Sequence, residues 1–284
     1  MEKGKIYLVG TPIGNLKDIT LRAIETLKMV DIILAEDTRQ TLKLLNHLEI
    51  SKPMISYHRH NEVDKIGEVK RLLDEGKQIA LVSDAGMPRI SDPGEALVET
   101  LINENYLVEV IPGVTALTTA IAYTNFDSAT FVFEGFMPMR PTRRREKLEK
   151  LKYETRTIVF YEAPHKLLST LKDLYKFLGD RRICIARELT KLHEECRYST
   201  LSEQIEIVSS EGIKGEIVLI VEGNLTGDEE KKEEENKALG LDVLTDKELV
   251  EKYVESGMNK KDAIKKVAKE RGKNKNEVYM ECVD

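Results

Sequence analysis

The sequence predicts an α/β protein in which two α/β domains enclose a cleft and a small C-terminal helical module of helix-turn-helix type follows. Three observations predict this architecture. Short apolar runs alternate with segments of helical periodicity along residues 1–225, a pattern typical of βαβ units around a mainly parallel sheet. Most of those runs end in loops rich in glycine, proline and polar residues. Beyond residue 240, three short amphipathic segments succeed one another without a strand-like run between them.

The first domain is predicted over residues 1–116 and contains five strands. We expect these strands at residues 5–9, 31–35, 53–57, 78–82 and 107–111, because each is a short apolar run followed by turn residues and a helical segment. The loop after the fourth strand, residues 83–94, is longer than the roughly 2–6 residues that an ordinary connection needs. Ligands of open α/β sheets bind outside the carboxyl ends of the strands, so we expect a site at this loop.

The second domain is predicted over residues 117–225. Its strands are expected at residues 130–133, 157–161, 182–186, 198–200 and 215–221, with a basic helix between the first two. Some neighbouring strands, such as 130–133 and 196–200, are expected to run antiparallel, which would make this sheet mixed.

Two segments complete the chain. Residues 226–240 are acidic and lack an apolar face, which predicts a linker. The module predicted over residues 241–284 contains three helices, whose starts are marked by Thr245, Asn259 and Asn274. An acid follows each of these residues three positions later, which is the capping-box arrangement or close to it.

Composition argues against several classes of protein. The chain has 284 residues, of which 41% are hydrophobic and 33% charged, and no apolar run approaches the roughly 20 residues of a membrane span. Met1–Lys5 leads directly into a strand and not into a signal-peptide core. The three cysteines, Cys184, Cys196 and Cys282, lack CxxC spacing, so we expect neither a disulfide framework nor a structural zinc site. Together these observations predict a cytoplasmic protein.

Charge is distributed unevenly along the chain. The formal net charge is −6, yet residues 139–152 and 260–275 are dense in lysine and arginine. Segregated basic patches on an acidic chain suit a nucleic-acid partner that binds at defined places. Solvated helix faces explain the same pattern equally well, so composition leaves both interpretations open.

Two polar strand ends also have more than one interpretation. Gly10–Gly14 resembles a phosphate-binding turn, but it is not GxGxxG and Pro12 removes a backbone N–H, so a ligand without a phosphate here fits better. Glu36 and Asp37 end the second strand, where an acid can bind a ribose hydroxyl; a helix cap is an equally good explanation. The histidines lack the spacing of a zinc hydrolase, and no metal is expected. Polar residues at nearly every strand end predict a cleft enzyme whose reaction stays open.

Eight motifs occur in one order along the chain and together resemble a known family. They are Gly10–Asn15, Glu36–Arg39, Ser56–Glu62, Ser83–Pro88, Ser91–Gly94, Pro112–Ala116, Phe160–His165 and Ala186–Lys191. In this combination they resemble the bacterial small-subunit ribosomal RNA (cytidine-2′-O)-methyltransferases of the tetrapyrrole methylase superfamily, over about residues 4–224. The C-terminal helices resemble that family's helix-turn-helix extension. Ser83–Ala85 stands where tetrapyrrole enzymes usually show Gly-Asp-Pro, a difference that favours the RNA branch.

The resemblance implies S-adenosylmethionine bound between the two α/β domains and transfer of its methyl group to a cytidine 2′-hydroxyl of 16S ribosomal RNA. It also implies a homodimer, with ribosomal RNA or the assembled small ribosomal subunit as the partner. The residues that match the family's cofactor-binding motifs are Pro12, Val82, Ser83, Asp84, Ile90, Thr115, Ala116, Phe160, Tyr161 and Leu189. The resemblance does not decide between Phe160 and Tyr161.

A ribose hydroxyl is a poor nucleophile until its proton is accepted, so we expect a base beside it. The candidates are Asp37, His60 and Glu188, because each lies at a strand end. The residues expected to contact RNA are Arg39, His58, Arg143, Arg144, Arg145, Lys191, Lys265 and Lys266. Two alternatives stay open. A tetrapyrrole-precursor C-methyltransferase has no use for the basic tracts, and a non-catalytic nucleic-acid-binding protein has no need of a polar cleft.

Overall fold

The computed structural model describes residues 3–227, 229–231, 234 and 244–282. The chain forms two compact units, Met1–Asn224 and Leu225–Asp284. The first unit, which we call the body, contains two five-stranded sheets with helices around them, and the second contains the C-terminal helices. The predicted α/β fold class is therefore confirmed.

The first sheet of the body is entirely parallel. Its strands are β1 (Lys5–Val9), β2 (Ile32–Ala35), β3 (Met54–Ser56), β4 (Ile79–Val82) and β5 (Leu107–Ile111), in the order β3-β2-β4-β1-β5. The helices that follow them are α1 (Leu21–Met29), α2 (Thr38–His47), α3 (Glu62–Asp74), α4 (Glu95–Asn103) and α5 (Ala116–Tyr123). Because every strand runs in the same direction, the five carboxyl ends and their loops lie at one edge of the sheet.

Both faces of this sheet are buried, as a parallel sheet requires. Neighbouring residues of a strand point to opposite faces, so Ile6 and Leu8 belong to one apolar cluster whereas Tyr7 and Val9 belong to the other. Burial of each such side chain contributes about 1.5–3 kcal/mol. This double burial explains the continuous apolar runs in the sequence and fixes the strand ends from which the loops start.

The second sheet is mixed, as the sequence predicts, but the strands expected as antiparallel neighbours at 130–133 and 196–200 lie at its opposite edges and do not pair. Its strands are β6 (Phe131–Phe136), β7 (Thr157–Glu162), β8 (Arg182–Arg187), β9 (Glu195–Thr200) and β10 (Ile217–Val221), in the order β6-β7-β10-β8-β9. β6 and β7 pair in parallel, and the other pairs are antiparallel. One face is covered by α6 (Pro141–Leu151), α7 (Pro164–Leu178) and α8 (Leu201–Glu211).

An apolar layer joins the other face of the second sheet to the first half of the body. Ile13 from the loop after β1 and Ile121 from α5 share this layer with Val159 and Ala186 of the second sheet. The domain boundary predicted between residues 116 and 117 falls at the start of α5, a helix that packs on the second sheet. That boundary stays a prediction.

The C-terminal unit contains the helices Asp246–Glu255, Lys260–Glu270 and Lys275–Glu281, and its described residues 227, 229–231 and 234 are helical as well. The named helices start after Thr245, Asn259 and Asn274, and the side chain of each of these residues accepts a hydrogen bond from a backbone N–H of the first turn. The predicted linker, 226–240, lies largely outside the described residues. In the part of the chain that the structure describes, no helix has the length and apolar character needed to cross a membrane.

The loops after β1 and β5 approach each other closely at two glycines, which gives a test of the fold. A Cβ atom on Gly10 would lie 2.7 Å from Cα of Gly113, and backbone cannot yield as a flexible side chain does. We expect Gly10→Ala to destabilise the protein by about 1–3 kcal/mol through overpacking. A Cβ atom on Gly67 of α3 would have no neighbour within 4 Å, so Gly67→Ala should stabilise by about 0.5–1 kcal/mol. Urea denaturation of the wild type and both variants measures these changes. Equal midpoints of unfolding for the two variants would contradict the prediction.

Candidate active site

The carboxyl edge of the first sheet borders a cleft of about 420 Å³ whose other side is formed by the second sheet. Residues from the loops after β1, β2, β4 and β5 line one side, and residues from β6, β7 and β10 line the other. The volume falls in the range of small-molecule sites, roughly 300–1,000 Å³. The cleft therefore lies where the sequence predicts a site.

The loop between β4 and α4, residues 83–94, forms one wall of the cleft and is fixed at both ends. At its start, Thr11 and Gly86 exchange backbone hydrogen bonds of 2.9 and 3.1 Å. At its end, Glu62 accepts hydrogen bonds of 3.1 and 2.9 Å from two backbone N–H groups at the start of α4. Those N–H groups have no partner within the helix, so Glu62 caps α4 from another element.

The middle of this loop is strained and is also held in place. Arg89 and Ser91 have φ angles of 73° and 70°, a left-handed conformation that residues other than glycine rarely adopt. Nη2 of Arg59 donates a hydrogen bond of 2.7 Å to the carbonyl oxygen of Ser91. Strain of this kind persists where surrounding contacts enforce it, and it is common at functional sites. The loop is thus a braced wall of the cleft.

Three carboxyl groups, Glu36, Asp84 and Asp92, line the cleft at this wall. Burial raises the pKa of Glu36, and the nearby charge of Asp84 raises it further. Burial also raises the pKa of Asp84, although the backbone N–H of Asp37 donates a 3.0 Å hydrogen bond to its Oδ1. For Asp92, burial and the charge of Glu36 raise the pKa to about 7. The three groups repel one another, so a bound cation would relieve an unfavourable arrangement.

The opposite wall comes from the second sheet and is mostly apolar. The hydroxyl oxygen of Tyr161 accepts a 3.1 Å hydrogen bond from the N–H of Leu117, at the start of α5. The rings of Phe133 and Phe136 pack edge-on against Tyr161, with centroids 4.9 and 5.7 Å away. Leu189 lies in the same wall. These contacts fix the aromatic surface that faces the carboxylates.

The structure brings most of the expected cofactor-binding residues to the cleft. Those that line it are Asp84, Ile90, Thr115, Ala116, Tyr161 and Leu189. Pro12, Val82, Ser83 and Phe160 do not line it. Val82 and Phe160 belong to the apolar clusters under the two sheets, because adjacent strand residues face opposite ways. Of the pair Phe160 and Tyr161, Tyr161 is therefore the one at the cleft. The buried hydroxyl of Ser83 donates to the backbone carbonyl oxygens of Ala85 and Gly86, at 3.3 and 3.4 Å, and lies near the carboxyl of Asp92.

The three expected bases do not line the cleft. Asp37 caps α2, and its hydrogen bonds from the side chain and backbone of Arg39 lower its pKa to about 2. Glu188 accepts hydrogen bonds from the backbone N–H of Glu216 and from Nζ of Lys191, which lower its pKa. His60 is exposed on the loop after β3, with its ring edge-on to that of His58 at 5.9 Å.

The expected RNA-binding residues divide into engaged and exposed side chains. Arg144 donates to Asp173 at 2.6 Å and to Thr170 at 2.9 Å, which ties α6 to α7. Lys191 lies 2.9 and 3.2 Å from the carboxylates of Glu188 and Glu216. Arg39, Arg143, Arg145 and Lys265 have exposed positions, although Arg39 pairs with Asp37 and Arg145 with Glu149 at the surface. His58 is half-buried, and Nζ of Lys266 lies 3.8 Å from the ring centroid of Tyr253.

Sequence reasoning missed three acids that line the cleft, Asp92, Glu162 and Glu216, and left a fourth undecided. Asp92 stands in a motif that the sequence singles out, but only the loop conformation turns its side chain into the cleft. Glu162 ends β7, is 4% exposed, and bonds the N–H of Ala163 at 2.8 Å and the hydroxyl of Thr170 at 2.5 Å. Glu36, weighed as cap or ligand, faces the cleft, while its neighbour Asp37 is the cap. Among the described residues, no group of three His, Cys, Asp or Glu could hold a metal ion.

A family model described as Tetrapyrrole (Corrin/Porphyrin) Methylases matches residues 5–205. The chain belongs to this family. The expectation from the eight motifs is confirmed by relatives named ribosomal RNA small subunit methyltransferase I. The relative from Halalkalibacterium halodurans is 48% identical over 281 residues, which cover 98% of this chain and 94% of that protein. The relative from Bacillus subtilis is 46% identical over 278 residues, with coverage of 98% and 94%.

Another tetrapyrrole methylase relative, the ribosomal RNA small subunit methyltransferase I of Thermotoga maritima, is 51% identical over 220 residues. The alignment covers 99% of that protein but 78% of this chain.

Solved structures of the tetrapyrrole methylase family share the fold. A cobalt-precorrin-4 methyltransferase has a TM-score of 0.60 and 18% identity, with coverage of 77% of this chain and 94% of that chain. The uroporphyrin-III C-methyltransferase of Thermus thermophilus, complexed with S-adenosyl homocysteine, has a TM-score of 0.56 and 19% identity, with coverage of 78% and 99%. At these identities the likeness establishes the fold alone.

The raised pKa of Asp92 predicts a pH dependence of stability. A carboxyl with a folded-state pKa near 7 binds its proton more tightly folded than unfolded, where the pKa is about 3.9. Its contribution to stability is complete below pH 4 and is lost as the pH rises through 7. The free energy of unfolding of the wild type should therefore fall more steeply from pH 5 to pH 8 than that of Asp92→Asn. Urea denaturation across this range measures both, and parallel profiles would contradict the prediction.

Proposed function

We propose that this protein transfers the methyl group of S-adenosylmethionine to the 2′-hydroxyl of a cytidine in small-subunit (16S) ribosomal RNA. The observation that carries the proposal is identity of 48% over nearly the whole chain to a protein named ribosomal RNA small subunit methyltransferase I. The cytidine and the 2′-oxygen come from the motif resemblance. We further propose that the protein is a cytoplasmic homodimer and that its substrate is ribosomal RNA or the assembled small subunit.

The residues of the cleft fit S-adenosylmethionine. When bound, this cofactor supplies an electrophilic methyl group on a sulfonium cation. Ile13, Met87 and Leu189 offer apolar surface for its uncharged parts. Glu36 and Asp84 are carboxylates whose pKa values are raised by burial, and a cation between them would compensate their charge.

Each proposed cofactor contact has a structural basis. Asp84 and Ile90 hold the cofactor from the braced β4–α4 loop, and Thr115 and Ala116 hold it from the start of α5. Tyr161 and Leu189 close the site from the second sheet, while Pro12, Val82, Ser83 and Phe160 support these residues from behind. Transfer requires the ribose oxygen in line behind the methyl carbon, so fixed walls on both sides favour the reaction by positioning.

Exposed cations on the body and on the C-terminal unit are proposed to bind the RNA backbone. Arg39 lies in the first turn of α2 and His58 in the loop after β3, both at the carboxyl edge of the first sheet, and Arg143 and Arg145 lie on α6. Lys265 and Lys266 belong to the second helix of the C-terminal unit. Arg144 and Lys191 pair with carboxylates through side chains that are 16% and 28% exposed, so we propose that they stabilise the body and contribute little to phosphate binding. Arg39 and Arg145 also pair with carboxylates, but they are 87% and 72% exposed and can exchange those partners for phosphate.

One assay tests the proposed function. The protein and radiolabelled S-adenosylmethionine are incubated with one substrate in each reaction. The substrates are small ribosomal subunits, naked 16S RNA and a tetrapyrrole precursor. Label in RNA that becomes resistant to alkaline cleavage at one cytidine is the expected result, because a methylated 2′-oxygen cannot attack the adjacent phosphate. Label in the tetrapyrrole precursor alone would establish the competing activity.

The exposed arginines of α6 predict a change in salt dependence. The double variant Arg143→Ala, Arg145→Ala removes two proposed phosphate contacts, so the slope of log K against log [salt] should become shallower by about 1–2. Arg144→Ala is the matched control, because its guanidinium bonds Asp173 and Thr170. It should lower stability and leave the slope near the wild-type value. The slopes are measured by filter retention of RNA between about 50 and 200 mM salt. Equal slopes for the wild type, the double variant and Arg144→Ala would contradict the proposed contact between α6 and RNA.

The C-terminal unit is expected to contribute RNA affinity and not chemistry, since the cleft belongs to the body. Removal of residues 225–284 should raise KM for RNA and preserve kcat. The charge variant Lys265→Gln, Lys266→Gln in the full chain should shift KM in the same direction. An unchanged KM and salt slope after the removal would contradict this role.

A further inference from the structure

The carboxyl group of Asp92 has a position that the roles above leave unassigned. It lines the cleft on the braced loop, next to Ser91, whose carbonyl oxygen is held by Arg59. Its neighbours are the hydroxyl of Ser83 and the carboxyls of Glu36 and Asp84. It is therefore held at the surface where the proposed methyl transfer takes place.

We infer, on the basis of the proposed function, that Asp92 is the catalytic residue that accepts the proton of the ribose 2′-hydroxyl. In this step the O–H bond breaks and its proton passes to the carboxylate of Asp92. A bond forms between the ribose oxygen and the methyl carbon as the methyl–sulfur bond breaks, and the electron pair of that bond stays on sulfur. The sulfonium loses its positive charge while Asp92 loses its negative charge, so the net charge of the cleft is conserved.

Three other acids at or near the cleft are less suited to this role. Asp37 and Glu188 accept charged hydrogen bonds from Arg39 and Lys191, so a proton would have to displace an ion pair. Asp84 accepts the backbone N–H of Asp37. Among the described residues no ion pair of Asp92 is found, and its neighbour Ser83 carries a neutral hydroxyl, so its carboxylate is more basic than one held in an ion pair.

The charged groups that face Asp92 set its pKa close to the value that a proton acceptor needs. Glu36 at the end of β2 and Asp84 at the end of β4 disfavour its ionised form, and Arg59 from the loop after β3 favours it. Tyr161 of β7 faces it from the second sheet. A proton acceptor is most effective when its pKa is close to the working pH, and the pKa of Asp92 is about 7.

The test compares Asp92→Asn with Asp64→Asn, which makes the same change at an exposed carboxylate of α3. Single-turnover rates of methyl transfer to the active RNA substrate are measured from pH 5.5 to 8.5. Binding of S-adenosylmethionine to the RNA-free protein is measured by calorimetry. Carboxyl titration of the free protein is followed by carbon NMR with labelled aspartate.

We expect Asp92→Asn to lower the single-turnover rate about 10²–10⁴-fold, the usual contribution of a general base, while cofactor affinity stays close to that of the wild type. The wild-type rate should rise with pH up to about 7, and the variant should lose both that rise and the matching NMR titration. Asp64→Asn should behave as the wild type.

Three results would overturn the inference. Equal rates in wild type and Asp92→Asn would leave the proposed function standing and remove Asp92 from the chemistry. A loss of cofactor affinity in proportion to the loss of rate would make Asp92 a binding residue. Failure of the wild-type protein to methylate any RNA would overturn the proposed function, and this inference with it.

Discussion

One apolar layer between the two sheets of the body determines where the cleft can exist. The second sheet contributes Val159, Ala186 and Val218 to this layer, and the loop after β1 contributes Ile13. Because protein interiors are close-packed, such a layer fixes the sheets at one separation and angle. The carboxyl edge of the first sheet then faces the aromatic surface around Tyr161, and the cleft is the space left between them.

Close backbone contacts between the loops after β1, β4 and β5 support this arrangement. Gly10 and Gly113 lie so close that neither position has room for a side chain, which brings the loops after β1 and β5 together. The β4–α4 loop rests on the same region through the backbone pair of Thr11 and Gly86. Loops held in this manner can present functional groups with little reorganisation during a reaction, which is where electrostatic catalysis gains most.

The three carboxyl groups at the cleft lower the stability of the fold, and a functional role explains why they are present. Glu36, Asp84 and Asp92 lie near one another at the cleft, and the pKa of each is raised because partial burial and nearby negative charge disfavour the charged forms. A fold selected for stability alone would separate or neutralise these groups. Their retention around a cleft of ligand size fits a site that receives a cation and then a proton.

The sequence by itself determined the fold class, the parallel first sheet, the mixed second sheet and the starts of the C-terminal helices. Strand periodicity, continuous apolar runs and capping residues such as Thr245 and Asn274 are local signals that need no knowledge of distant contacts. The eight motifs likewise indicated the family, because their order along the chain is itself a property of the sequence.

Only the tertiary structure decided which polar side chains enter the cleft. Phe160 and Tyr161 are adjacent, yet the pleat of β7 sends one to the core and the other to the site. Asp37 and Glu188 had the right positions at strand ends, but Arg39 and Lys191 engage them locally. Asp92 faces the cleft because left-handed residues turn the loop and Arg59, 32 residues away in sequence from Ser91, holds it. Such long-range contacts and loop torsions leave no periodic signal in the chain.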